Sequence, residues 1–150
     1  MSAVIIPDSV VACVDESEHA AVSVRWAADY AAQCEMPLRL LHAANPTGAE
    51  SLFTRLPYEE YRQDLISGAN GMLHRVRDEL AHVYPTLSIT CETLVGDPVQ
   101  TLVEAGLGAR LLVVGAYRHR APFSLGIGHV LHPLLAHAPC PVAVVPSAER

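Results

Sequence analysis

The chain is short of charge, and what charge it has is mostly acidic. Only 17% of its 150 residues are Asp, Glu, Lys or Arg, and ten basic groups face sixteen acidic ones, for a formal net charge of −6. A broad electrostatic grip on nucleic acid or on an anionic membrane is therefore not expected, because both depend on massed cations; a local basic patch stays allowed. No apolar run approaches the ~18–20 residues needed to cross a bilayer. The first fourteen residues have no basic segment ahead of their apolar stretch, which Pro7-Asp8 interrupts, so they do not read as a secretory signal. Cysteines stand at 13, 34, 91 and 140, widely spaced and without a C-x-x-C pair. That excludes the close pairs of a zinc site and predicts reduced, buried, structural thiols in a cytoplasmic protein. No G-x-S-x-G occurs, Ser124 has no evident base beside it, and Asp15-Glu16 is an acidic turn and not a catalytic pair. No enzyme is expected.

What is present is apolar sequence, 51% of the residues, enough for one compact domain over 1–150. Val10-Val11-Ala12-Cys13-Val14 reads as a buried strand ending at Asp15, with Ser17 able to cap a helix over about 18–34. Ala20, Val24, Ala27, Ala28 and Ala31 recur along that helix at helical spacing, and Met36-Pro37 ends it. A strand covers 38–43 and a loop 44–57. A helix over 58–83 carries Tyr61, Leu65, Met72, Leu73, Val76 and Leu80 as its stripe, with Gly68 and Gly71 weakening its middle. A third strand spans 87–94. Gly96-Asp97-Pro98 starts a helix to about 107, with Asp97 as cap. Leu111 to Val114 is a strand ending at Gly115; after a loop and a helix to about 137, Val142 to Val145 is the last strand, closed by Pro146. Strands alternating with helices predict an α/β fold: an open five-stranded parallel sheet covered on both faces.

In such a sheet a ligand sits beyond the carboxyl ends of the strands where the strand order reverses. Asp15 ends strand 1, and Gly115 ends strand 4 ahead of Arg118, His119, Arg120 and Gly126-Ile127-Gly128. If these strands are neighbours, a carboxylate faces a glycine-bearing loop and the start of a helix, the parts of a generic nucleotide pocket. The same residues also allow a plainer reading, in which Asp15 caps the first helix and the glycines turn the chain. Of eight histidines, four fall at 119, 129, 132 and 137. His129 and His132 can share a face, but no carboxylate lies on their helix to complete a metal site. Trp26 reads as a packing residue.

The chain resembles the universal stress protein family along nearly its whole length. The resemblance is carried by Val-Asp-Glu-Ser at 14–17, Leu41-His42-Ala43, Gly96-Asp97-Pro98, Leu112-Val113-Val114-Gly115, and the tail His137-Ala138-Pro139-Cys140-Pro141-Val142-Ala143-Val144-Val145-Pro146. It implies the strand order 3-2-1-4-5 of an adenine-nucleotide α-hydrolase-like fold. One branch of the family binds ATP through G-x2-G-x9-G-[S/T] after strand 4. Here Gly115 and Gly128 keep two positions and the spacing, while Arg118 replaces the second glycine and His129 the closing Ser/Thr. The resemblance implies an altered adenine-nucleotide site of Asp15, Ala43, Val114, Gly115, Arg118, Gly128, His129 and Val130. The ligand would be ATP or another adenine nucleotide, with Mg²⁺ only alongside it. Arg118 either fills the phosphate space or grips the phosphate. His129 either blocks the site or, protonated, attracts an anion. Pro133 is harmless if His129 caps the last helix, and a kink if that helix starts at Gly126.

The resemblance also implies a homodimer through the last strand, Val142, Ala143, Val144 and Val145, an apolar sheet edge that needs cover. Three functions follow, all in the cytoplasm and without nucleic-acid or membrane partners: a nucleotide-sensing regulatory protein of the stress response; a dimeric interaction module that has lost the nucleotide; and, last, a weak ATP hydrolase. Its protein clients are not legible.

Overall fold

A computed structural model of the chain describes residues 8–15, 20–45, 57–117 and 128–147. Five strands, β1 (Val10–Cys13), β2 (Leu38–Ala44), β3 (Ile89–Val95), β4 (Leu111–Tyr117) and β5 (Val142–Ser147), form one sheet in the order β3-β2-β1-β4-β5. Every neighbouring pair is parallel, as the alternation of strand and helix required. Among the described residues four helices connect them: α1 (Ala20–Gln33), α2 (Tyr58–Val83), α3 (Pro98–Ala105) and α4 (Gly128–His137).

Successive side chains of a strand point to opposite faces, so a strand covered on both sides needs apolar residues at every position. Val10, Ala12, Leu38, Leu40 and Val113 pack under Val24, Ala27, Ala28 and Ala31 of α1 and Leu73 and Leu80 of α2. The residues between them, Val11, Leu41, Leu112 and Val114, pack with Leu94 under Leu102 and Ala105 of α3 and Leu134 of α4. Each fully buried leucine contributes roughly 1.5–3 kcal/mol. The chain thus covers one face on its way out to β3, crosses back, and covers the other. The reversal falls between β1 and β4.

The helix ends follow local chemistry. Asp97 accepts the Gln100 N–H at 3.0 Å and Pro98 takes the first position of α3, as expected. Gly96 holds φ +150°, which a Cβ would oppose. At the end of α1, the Met36 N–H bonds the Ala31 carbonyl and the Glu35 N–H bonds the Ala32 carbonyl, and Glu35 has φ +54°. That is a Schellman cap with glutamate where glycine is usual.

Several expectations need correction. Gly115 does not end the fourth strand. It lies inside β4, which runs on through Tyr117 opposite Ser147, and Pro146 is a residue of β5 and does not close it. An edge strand tolerates proline because one side of its backbone has no ladder to complete. Helix α3 stops at Ala105, two residues early, where the chain turns through Gly106. On α2 the buried residues are Ala69, Leu73 and Leu80; Tyr61 and Leu65 are only half-buried. Helix α4 starts at Gly128, so His129 is its second residue and not its cap, and Pro133 lies inside it. Trp26 is 42% exposed and stacks on Tyr30, with ring centroids 5.5 Å apart. Cys34 is exposed, and Cys13, Cys91 and Cys140 are partly covered, with the Cys13 thiol itself buried. One buried charge was not anticipated: Arg39, in the middle of β2 and 2% exposed, bonds Glu92 of β3 at 2.7 Å.

Candidate functional site

At the carboxyl ends of β1 and β4 lies a cavity of about 200 Å³. It stands at the reversal of strand order, the place where parallel sheets leave room between diverging connections. Cys13, Val14 and Asp15 reach it from β1, His42 and Ala43 from β2, Val114 and Gly115 from β4. Helices supply the rest: Ser23 of α1, Pro98 and Leu102 of α3, and Val130, Leu131 and Leu134 of α4. The wall is largely apolar. Among the described residues its polar lining residues are Asp15, Ser23, His42 and Cys13.

Each group has a structural reason for its place. Beyond Cys13 the chain still bonds to β2: the Val14 N–H donates to the Leu41 carbonyl at 2.7 Å, and His42 Nδ1 lies 2.7 Å from the Val14 carbonyl. Gly115 eases a close approach. A Cβ there would stand 3.1 Å from the Ser23 hydroxyl oxygen, so the missing side chain lets α1 close on β4. Burial pushes the Cys13 thiol up to about 12, and the Asp15 carboxylate adds to that shift. The thiol therefore stays protonated at neutral pH and is a poor nucleophile. Burial also raises Cys91 and Cys140; for Cys140 a hydrogen bond from the Leu112 backbone opposes the shift.

Of the residues expected at the site, Asp15, Ala43, Val114, Gly115 and Val130 line the cavity together. Gly128 is the first residue of α4. The side chain of His129 and the whole of Arg118 lie outside the described residues, as do His119, Arg120, Ser124 and Ser17. Cys13, Val14, Ser23, His42, Pro98, Leu102, Leu131 and Leu134 were not expected there. Pro98 and Leu102 stand four apart on α3, and Leu131 and Leu134 three apart on α4. That helical spacing, joined to the known strand order, would have found them. Among the described residues no group of His, Cys, Asp or Glu is placed to hold a metal ion, and no helix is long and apolar enough to cross a membrane.

The size and lining suit a flat, mostly apolar ring more than a whole charged ligand, since sites for drug-sized molecules run to about 300–1,000 Å³.

Comparison with known proteins agrees with the architecture. The model of the universal stress protein family matches residues 7–146. Universal stress protein Rv2623 of Mycobacterium tuberculosis is 34% identical over 139 residues, which cover 88% of this chain and 45% of the relative. Universal stress protein Rv2028c of the same organism is 30% identical over 141 residues, covering 93% and 48%. The chain thus spans about half the length of the curated relatives it matches. Among solved structures, the universal stress protein UspA of Lactobacillus plantarum superposes with a TM-score of 0.73 at 20% identity, covering 93% of this chain and 99% of its own. A universal stress protein in complex with cAMP gives 0.62 at 23% identity, covering 92% and 95%. The universal stress protein of Archaeoglobus fulgidus in complex with dAMP gives 0.59 at 21%, covering 94% and 99%. At these identities the superpositions speak for the fold; the match across residues 7–146 speaks for descent. This chain belongs to the universal stress protein family.

Proposed function

We propose that this chain is a non-enzymatic regulatory protein that binds an adenine nucleotide at the β1–β4 cleft. The single observation carrying the reading is the apolar cavity of about 200 Å³ at the strand reversal, with the Asp15 carboxylate among its lining residues. The base would lie against Ala43, Val114 and Val130, and Asp15 would accept a hydrogen bond from a ribose hydroxyl or from the base amine. The cAMP and dAMP complexes of its structural relatives support that assignment. Mg²⁺ would enter with the phosphates, held mainly by them and by water. The proposed compartment is the cytoplasm, and the proposed biological setting is a stress response.

Calorimetric titration with ATP, ADP, AMP and cAMP, each with and without Mg²⁺, tests the reading. Saturable binding that Asp15→Ala weakens at least tenfold is the expected outcome. No heat at millimolar ligand for any of the four would end it.

A second reading, a dimeric interaction module, is favoured by one surface. Val22 is 48% exposed and Trp26 42%, and both border an open groove that reaches Val145 of β5, while Val144 is 37% exposed on the same strand. The sheet order leaves β5 at an edge, and an apolar edge invites a second strand. Pairing of two copies through Val142, Ala143, Val144 and Val145 would cover it by an isologous contact. Light scattering at micromolar concentration should give twice the chain mass; a monomeric mass would exclude this pairing.

A further inference from the structure

The chain beyond β1 loses its support on one side. The ladder between β1 and β4 ends at Ala12 opposite Val113, whereas that between β1 and β2 continues to Cys13 opposite Leu41. The next residue, Val14, is 2% exposed, so both polar groups of its backbone need partners within the protein. Its N–H finds the Leu41 carbonyl at 2.7 Å. Its carbonyl meets the ring of His42, Nδ1 to oxygen, at 2.7 Å. A carbonyl has no hydrogen to give, so Nδ1 carries the proton and donates it, and in the neutral ring Nε2 keeps a lone pair.

That contact bears on the site because of what the Val14 carbonyl belongs to. The peptide unit from Val14 to Asp15 is planar. Holding its oxygen sets the tilt of that plane, and with it the direction in which Asp15 leaves β1. Asp15 and His42 both line the same cavity. The geometry points to His42 as the positioning residue for Asp15: its Nδ1–H fixes the Val14 carbonyl and so aims the carboxylate at the cavity. The effect on ligand affinity rests on the nucleotide reading above, while the tautomer and the backbone effect do not.

The experiment has two arms. In the first, AMP is titrated into the parent, His42→Leu, His42→Asn, Asp15→Asn and the double variant His42→Leu/Asp15→Asn. His42→Leu should weaken AMP about fivefold to tenfold, the worth of a single hydrogen bond. His42→Asn, whose amide can donate to the same carbonyl, should recover most of the loss. In the Asp15→Asn background, His42→Leu should change affinity less than about twofold, because a positioning residue has no effect once its target is gone. Equal losses in both backgrounds would overturn the assignment. The second arm needs no ligand and covers the case in which the parent fails to bind AMP. Long-range ¹H–¹⁵N correlation on the unliganded parent, with the His42 signals identified by their loss in His42→Asn, should show the proton on Nδ1. His42→Leu should also shift the Asp15 amide resonance. A proton on Nε2, or an unmoved Asp15 amide, would overturn the proposal whatever the ligand does.

Discussion

The Arg39–Glu92 pair offers the sharpest energetic test of the fold. The Arg39 side chain is 3% exposed, that of Glu92 20%, and Nη2 meets Oε2 at 2.7 Å. Nη1 of the same guanidinium is buried with no hydrogen-bond partner. The cation therefore depends heavily on one carboxylate carried by the edge strand β3. Glu92→Leu would leave a positive charge buried in the sheet with neither terminal nitrogen matched to a counter-charge. Removing one partner from a buried pair costs about 3–5 kcal/mol; the partial exposure of Glu92 puts the cost near the lower figure. For a chain of this length, about 3 kcal/mol corresponds to a drop in melting temperature of roughly 6–12 °C. The double variant Arg39→Met/Glu92→Leu removes the charge and the orphan together and should return most of that loss, because apolar replacements of buried pairs are often neutral or better. Urea denaturation of parent, both single variants and the double gives the coupling energy directly. A Glu92→Leu cost below about 1 kcal/mol, or a double variant no better than the single, would show that water reaches the guanidinium and that the sheet is not dry there.

Other outcomes follow from the same geometry. Burial raises the Cys13 thiol to about 12, above its value in an unfolded chain, about 8.5. Its contribution to stability is therefore complete below about pH 8.5 and is lost as pH rises toward 12, by up to about 1.4 kcal/mol per unit. Melting curves at pH 8, 9.5 and 10.5 should show Cys13→Ala less alkali-sensitive than the parent, and equal slopes would refute the shift. In the native protein at pH 7.5 a thiol reagent should label exposed Cys34 quickly and Cys13 slowly; mass spectrometry of peptides distinguishes them. Gly115→Ala would press a methyl to 3.1 Å from the Ser23 oxygen, and a cost of about 1–3 kcal/mol is expected in denaturant titration, recovered in part by Ser23→Gly. Glu35→Gly places the usual residue at φ +54° and should stabilise the chain by about 1 kcal/mol; a loss of stability would deny the left-handed cap.

Much of the fold was legible because apolar runs mark strands buried on both faces. The boundaries of α2 matched the sequence reading, since a long apolar stripe and Pro85 bracket it. The strand order came from the family resemblance, and the structure has it. β4 and β5 were read too short because a ladder is made by the backbone, and Gly115, Ala116 and Pro146 carry no apolar run to announce it. Arg39 passed unnoticed because its partner is 53 positions away, and no local pattern joins them. At the site, Asp15 was visible as a strand end, while Ala43, Val114 and Val130 came only from the family resemblance. Ser23 was not visible, because its reason for being there is the absent side chain of Gly115 on another element. Trp26 was read as a packing residue, and it packs on Tyr30; the small inward residues Ala27, Ala28 and Ala31 fill the contact with the sheet and leave the indole on the outer side.

That outward indole gives the protein an optical readout of its own. The chain has one tryptophan, and it borders the groove beside Val145 and not the cavity at Asp15. Its fluorescence should therefore shift toward the blue, and resist quenching by iodide, when a second molecule settles on the β5 edge, and stay constant when a small ligand enters the cleft. Self-association and ligand uptake can thus be followed separately, in one cuvette and without a label.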